Sequence, residues 1–181
     1  MFRRKKGTLT NDQIKQLEAR TVFNSGEIKK IQQKYSNYAE QGGNGISYMR
    51  LESLQQIPEL VGYTLIPRVA STIADKQSGL LTAESFVELL SNMSPRKNVD
   101  QKRKFLFAVF DMYNEGSIKH DELFRMYKTM FNPALGDDQI LNMVTKILDN
   151  TQTPGELSYE EFTELVPDHE IAEKLTVELQ L

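Results

Sequence analysis

The sequence predicts an all-α fold of four helix–loop–helix units arranged in two paired lobes. Three observations predict it. Apolar residues recur at helical spacing along most of the chain. Loops interrupt these stretches at a repeat of roughly 35–40 residues. Each loop carries a glycine within two residues before an aliphatic residue and, five positions after that, Leu or an aromatic. A helical solenoid is the competing repeat architecture, and the loop spacing argues against it.

The elements follow in order. Thr10 and Gln13 form a capping box ahead of a short helix through Leu17. Asn24 and Glu27 form a second box, with Phe23 and Ile28 placed as a hydrophobic staple, and this helix runs to about Tyr38. Gln41-Gly42-Gly43-Asn44-Gly45 breaks it, and another helix is expected from near Tyr48 to Pro58. Pro67 suits the first turn of a helix carrying Val69 and Ile73. After a loop over residues 76–79, Thr82 caps a helix through about Leu90. Ser94 to Asn98 reads as a linker. Beyond it come a helix through Phe110, a loop from Asp111 to Ile118 and a helix from Leu123 to Phe131, broken at Asn132-Pro133. Asp137 is expected to cap a helix through Leu148, and Glu160 to Val166 forms the last, stopped by Pro167. Leu175 to Leu179 alternates as a short strand would. The expected organisation is a basic flexible tail (1–8), a first pair of units (9–93), a linker (94–98), a second pair (99–167) and a C-terminal extension (168–181).

Composition narrows the chemistry. The chain has 181 residues, with 22 Lys plus Arg against 25 Asp plus Glu and a net charge of −3, so there is no broad basic field and general nucleic-acid binding is not expected. It has no Cys, which removes disulfides, thiolate catalysis and Cys-based zinc sites. There is neither a secretory segment nor an apolar run of membrane-spanning length, so a cytoplasmic location is expected, with cytoskeletal or membrane association only through a partner. Met1-Phe2-Arg3-Arg4-Lys5-Lys6 is the one stretch suited to an anionic membrane surface, and Phe2 in place of Gly argues against N-myristoylation. No phosphate-binding loop or nucleophile elbow is present, and His120 and His169 sit in no catalytic constellation, so an enzyme is not expected.

The loop spacing is that of an EF-hand, which places oxygen ligands at positions 1, 3, 5, 7, 9 and 12 around a glycine at 6. Aligned on the aliphatic residue at position 8, the first loop runs from Ala39 to Arg50 and puts Ala39, Gln41, Gly43 and Arg50 at positions 1, 3, 5 and 12. The second, Ala74 to Ser85, puts Ala74, Lys76, Ser78 and Ser85 there. The fourth, Asn150 to Glu161, retains only Glu161 as a full-strength ligand. The third keeps Asp111, Glu115 and Glu122 at positions 1, 5 and 12, with the Ser117 carbonyl at 7. Tyr113 replaces the acid at 3, and Lys119 stands at 9. Affinity follows ligand charge count, so at best one weak calcium site is expected, at Asp111, Glu115, Ser117 and Glu122. Ile46 is expected to pair with Leu81, and Ile118 with Leu157. Leu51, Phe86, Leu123 and Phe162 are expected to enter the core after position 12, so metal-free folding is plausible.

These residues carry a resemblance. Asp111-Met112 to Glu122-Leu123-Phe124 resembles the third hand of calcineurin B. The order Leu9-Thr10, Gln13-Ile14, Leu17, Thr21, Phe23, Ile28, followed by Gln56-Ile57-Pro58-Glu59-Leu60, is similar to the calcineurin B homologous proteins. Ile171 to Val177 resembles the calcineurin B C-terminal end. The resemblance covers roughly residues 9–179. It implies a non-catalytic regulatory subunit that holds an amphipathic helix of a larger protein in a hydrophobic groove. The partner would be a phosphatase catalytic subunit, an exchanger tail or an assembly scaffold. Met126, Tyr127, Met130 and Phe131 are the groove candidates on the residues' own chemistry. Two other readings stand beside a largely calcium-free subunit: a true calcium sensor regulating a phosphatase or transporter, and a constitutive structural subunit of a cytoskeletal or ciliary assembly.

Overall fold

The computed structural model describes residues 8–42, 46–131 and 133–181. Residues 1–7 of the basic tail, Gly43-Asn44-Gly45 and Asn132 of the expected helix break lie outside the described residues. The chain divides into two compact units, Met1–Asn98 with Leu175–Leu181, and Val99–Lys174.

In the first unit, α1 (Asn11–Arg20) and α2 (Ser25–Tyr38) begin at the two expected capping boxes. Asn24 Oδ1 accepts the Glu27 N–H at 3.0 Å, and Glu27 Oε2 accepts the Asn24 N–H at 2.9 Å. Each box satisfies two helix-end donors. Phe23 and Ile28 are both buried, as a staple requires. Ile28, Ile31 and Tyr35 form the buried stripe of α2. After α2 the chain forms a small hairpin, β1 (Glu40–Gln41) against β2 (Ser47–Tyr48). A 3-10 helix spans Leu51–Gln56, α3 spans Ile66–Ile73 with Pro67 in its first turn, and α4 spans Ala83–Asn92 under the Thr82 cap.

The hairpin corrects three expectations. The helix expected from Tyr48 starts only at Leu51 and is 3-10. Ile46 does not pair with Leu81. It is 57% exposed, and Met49 takes its place, its N–H and C=O each bonding to Leu81 at 2.9 Å. Leu54, not Leu51, is the fully buried residue that follows. The separation from Met49 to Leu54 equals that from Leu81 to Phe86. The hand is therefore intact, and its register lies three residues downstream, because the hairpin absorbs the extra length.

In the second unit, α5 (Val99–Phe110), β3 (Ser117–Lys119) and α6 (His120–Phe131) form one hand. The other is α7 (Asp137–Leu148), β4 (Glu156–Ser158) and α8 (Tyr159–Leu165). The two hands join through β3 and β4, with Ile118 opposite Leu157 as expected and Lys119 opposite Glu156. Phe107 packs edge-on against Tyr159 and Phe162, with ring centroids 5.3 Å apart in each pair. The cap of α7 is Gly136 rather than Asp137, because Gly136 is the last extended residue and its N–H donates to Gln139 Oε1 at 2.9 Å. A helix the sequence did not announce, α9 (Asp168–Lys174), follows Pro167 directly. It is held by buried Ile171 and by an Asp168–Arg103 ion pair.

Residues 176–181 form no strand. The alternation survives in burial: Leu175 and Val177 are buried while Glu178 is exposed. A ladder needs repeated pairing, and here Val177 N–H makes a single backbone bond, to Met93 O at 2.8 Å. Among the described residues no helix is long and apolar enough to cross a membrane.

Candidate functional site

The third loop is the place where the sequence gathers most oxygen ligands. Asn114 (φ 55°) and Gly116 (φ 80°) supply the left-handed residues that bend the loop. Asn tolerates that conformation through its short polar side chain, and Gly adopts it without penalty. The bend aims backbone N–H groups inward, where the acids take them up. Asp111, 9% exposed, accepts the N–H of Glu115 at 2.8 Å on Oδ1 and that of Gly116 at 2.9 Å on Oδ2. Glu122, 1% exposed, accepts the N–H of Met112 (2.6 Å), Tyr113 (3.3 Å) and Lys119 (2.8 Å). Glu115 forms an ion pair with Lys119. The ammonium is held above the ordinary lysine range first by its bond to Glu115, with further attraction from Glu156 and Glu122.

The structure thus keeps Asp111, Glu115, Ser117 and Glu122 in one loop. Both Asp111 oxygens and both Glu122 oxygens accept N–H donors, Glu115 is turned to Lys119, and the exposed Tyr113 donates its hydroxyl to Asp121 Oδ2 at 3.4 Å. Ser117 Oγ donates to Glu156 Oε2 at 3.3 Å. Glu156 is a neighbour that sequence reasoning passed over, although pairing Ile118 with Leu157 places 119 opposite 156. Among the described residues no cluster of three or more acidic or His side chains is arranged to hold a metal.

The other loops close in the same way. Glu161 accepts the N–H groups of Gln152 (2.7 Å) and Ser158 (3.0 Å), and these, the Gln152 bond foremost, hold its carboxyl below the usual range. In the second loop Asp75 stands one residue past position 1 and accepts from Ser78 N–H and Oγ, both at 2.8 Å. These bonds depress its pKa, the Ser78 N–H most. Arg50 is paired with Glu40 at 2.9 Å. His120 and His169 are both exposed.

The groove candidates divide. Met126 and Tyr127 are buried in the second unit, and burial pushes the Tyr127 phenol up. Met130 and Phe131 are half-buried at the end of α6. On α7, which packs against α6, Leu141 (44%) and Met143 (37%) are exposed.

No family model matches the chain. Individual proteins do. It is 27% identical over 174 residues to the calcineurin B protein of Naegleria gruberi, covering 95% of this chain and 97% of that protein. It is 29% identical over 157 residues to human calcineurin B type 2, covering 86% and 91%. It is 30% identical over 163 residues to calcineurin B type 2 of Rattus norvegicus, covering 88% and 90%.

Proposed function

The chain belongs to the calcineurin B-like EF-hand family, and from that membership we propose that it is a non-catalytic regulatory or scaffold subunit. Its role is to bind an amphipathic helix of a larger protein, with a phosphatase catalytic subunit as the first candidate, and calcium does not switch it. The observation that carries the calcium-independent half is the third loop. There five N–H bonds occupy Asp111 and Glu122, and the Lys119 ammonium satisfies Glu115. A cation tethered to the loop competes with any free ion at those acids. Helix binding is supported by apolar surface left at Met130, Phe131, Leu141 and Met143 on neighbouring helices of one unit. Methionine and leucine at such spacing suit a groove for a helical ligand.

The test is affinity capture with the purified chain in excess calcium and in chelator, followed by mass spectrometry. The proposal expects the same partner, with a helical amphipathic segment, in both conditions. A partner retained only in calcium would reject the calcium-independent reading and restore the sensor reading.

A further inference from the structure

The first unit holds a short segment of this chain in a manner that a different chain could reproduce. Beyond Lys174 no helix or strand organises the residues, yet they are fastened at three points. Thr176 C=O accepts from Tyr63 Oη at 2.6 Å, Val177 N–H donates to Met93 O at 2.8 Å, and the Gln180 N–H donates to the Glu59 carboxylate. On the segment's side all three contacts use the backbone, so they do not depend on its sequence. Sequence enters only through Leu175 (0% exposed) and Val177 (1%), two aliphatic side chains at alternate positions. Backbone bonds for affinity with alternate side chains for specificity is the pattern by which folded domains take up extended peptides.

The receiving groups are fixed independently of the segment. Met93 caps α4, its N–H bonded to Leu89 O at 3.2 Å. Glu59 is held by an ion pair to Lys34 from α2. A site with its donors and acceptors set in advance loses little on binding. An open cavity of about 530 Å³, bordered by Lys34, Pro58, Glu59 and Gln180, continues past the segment and leaves room for a longer one.

We propose that this trough is a recognition site for an extended segment of a partner protein with aliphatic residues at alternate positions, and that Leu175–Gln180 is its resident, displaceable occupant. It is distinct from the helix-binding surface of the second unit, and its test does not depend on that reading. The probe is a fluorescent peptide with the sequence of residues 174–181, titrated into the full-length chain and into full-length Val177→Asp. The intact chain should exclude the peptide. Val177→Asp, whose own segment no longer seats, should bind it at least about tenfold more tightly. Hydrogen exchange on the intact chain reads the same equilibrium without a mutation: the Val177 amide should exchange through a local opening, faster than the Phe86 amide of α4. Equal peptide binding by the two proteins overturns the proposal. So does a Val177 amide that exchanges only with global unfolding, and so does loss of folding in Val177→Asp, because the segment would then be a structural strap and not an exchangeable ligand.

Discussion

Glu122 is a buried carboxylate whose partners are three backbone N–H groups of its own loop. In Glu122→Gln one oxygen becomes an amide donor facing other donors. Leaving such groups unsatisfied destabilises by about 1–3 kcal/mol. The melting temperature should therefore fall in chelator, where loss of a metal ligand is irrelevant. An unchanged melt would show that the carboxylate is not structural. A second residue carries the acid response. The Glu27 carboxyl is lowered from 4.5 to about 2, first by its bonds to the Arg96 guanidinium and then by the Asn24 N–H. A depressed carboxylate contributes stability that is complete above its unfolded pKa and is lost as pH falls through the folded one. Arg96→Ala should thus be less stable than the native chain by a constant margin at neutral pH. The margin should shrink as pH falls below about 4.5 and close near pH 2, as read by urea unfolding at each pH.

At the scale of elements, the joint between the hands of the first unit is the Met49–Leu81 bridge, and Tyr35 of α2 closes it. Its hydroxyl donates to Leu81 O at 2.9 Å and lies 3.1 Å from Ser47 O, with the ring 1% exposed. Tyr35→Phe keeps the packing and removes that donor, and it should destabilise by about 1–2 kcal/mol in denaturant titration. Burial pushes the phenol up to about 12, so the loss should not vary with pH across the neutral range. Elements of this kind were legible wherever local chemistry dictates them. The boxes at Thr10 and Asn24, the Thr82 cap and the Ile118–Leu157 pairing involve residues a few positions apart or a spacing imposed by the loop. The first hand was misplaced by three residues because Ile46 and Met49 are both apolar, and only the β1–β2 hairpin decides which one reaches Leu81. Helix α9 escaped notice because what holds it, the burial of its Ile171 and the pair its Asp168 makes with Arg103, depends on residues outside its own short sequence. Of the candidate site, the ligand positions could be read from spacing. Their occupation by backbone N–H groups and Lys119 could not, since those contacts exist only once the loop is bent.

For the molecule as a whole, the question is what holds each unit together if its loops bind no ion. Each unit has its own apolar interior: Ile28, Leu54, Leu81 and Phe86 in the first, and Phe110, Ile118, Leu123 and Phe162 in the second, all 1% exposed or less. Each such side chain contributes about 1.5–3 kcal/mol on burial. The turns rest on intramolecular bonds, with the acids of the second, third and fourth loops serving as acceptors for N–H groups. A protein built this way should unfold at the same temperature in millimolar calcium and in chelator, within about 1 °C. If calcium were held at about 1,000 times its dissociation constant, linkage would add about 4 kcal/mol to the native state. For a chain of this size that corresponds to a rise of roughly 8–16 °C, well outside the error of a scanning calorimeter. A shift of that size would mean that Asp111 and Glu122 exchange their N–H partners for the ion and that the Lys119–Glu115 pair opens. The same scan on Lys119→Ser should show whether the tethered cation is the obstacle, because removing it alone should raise calcium affinity by roughly tenfold if the loop's remaining acids are sufficient.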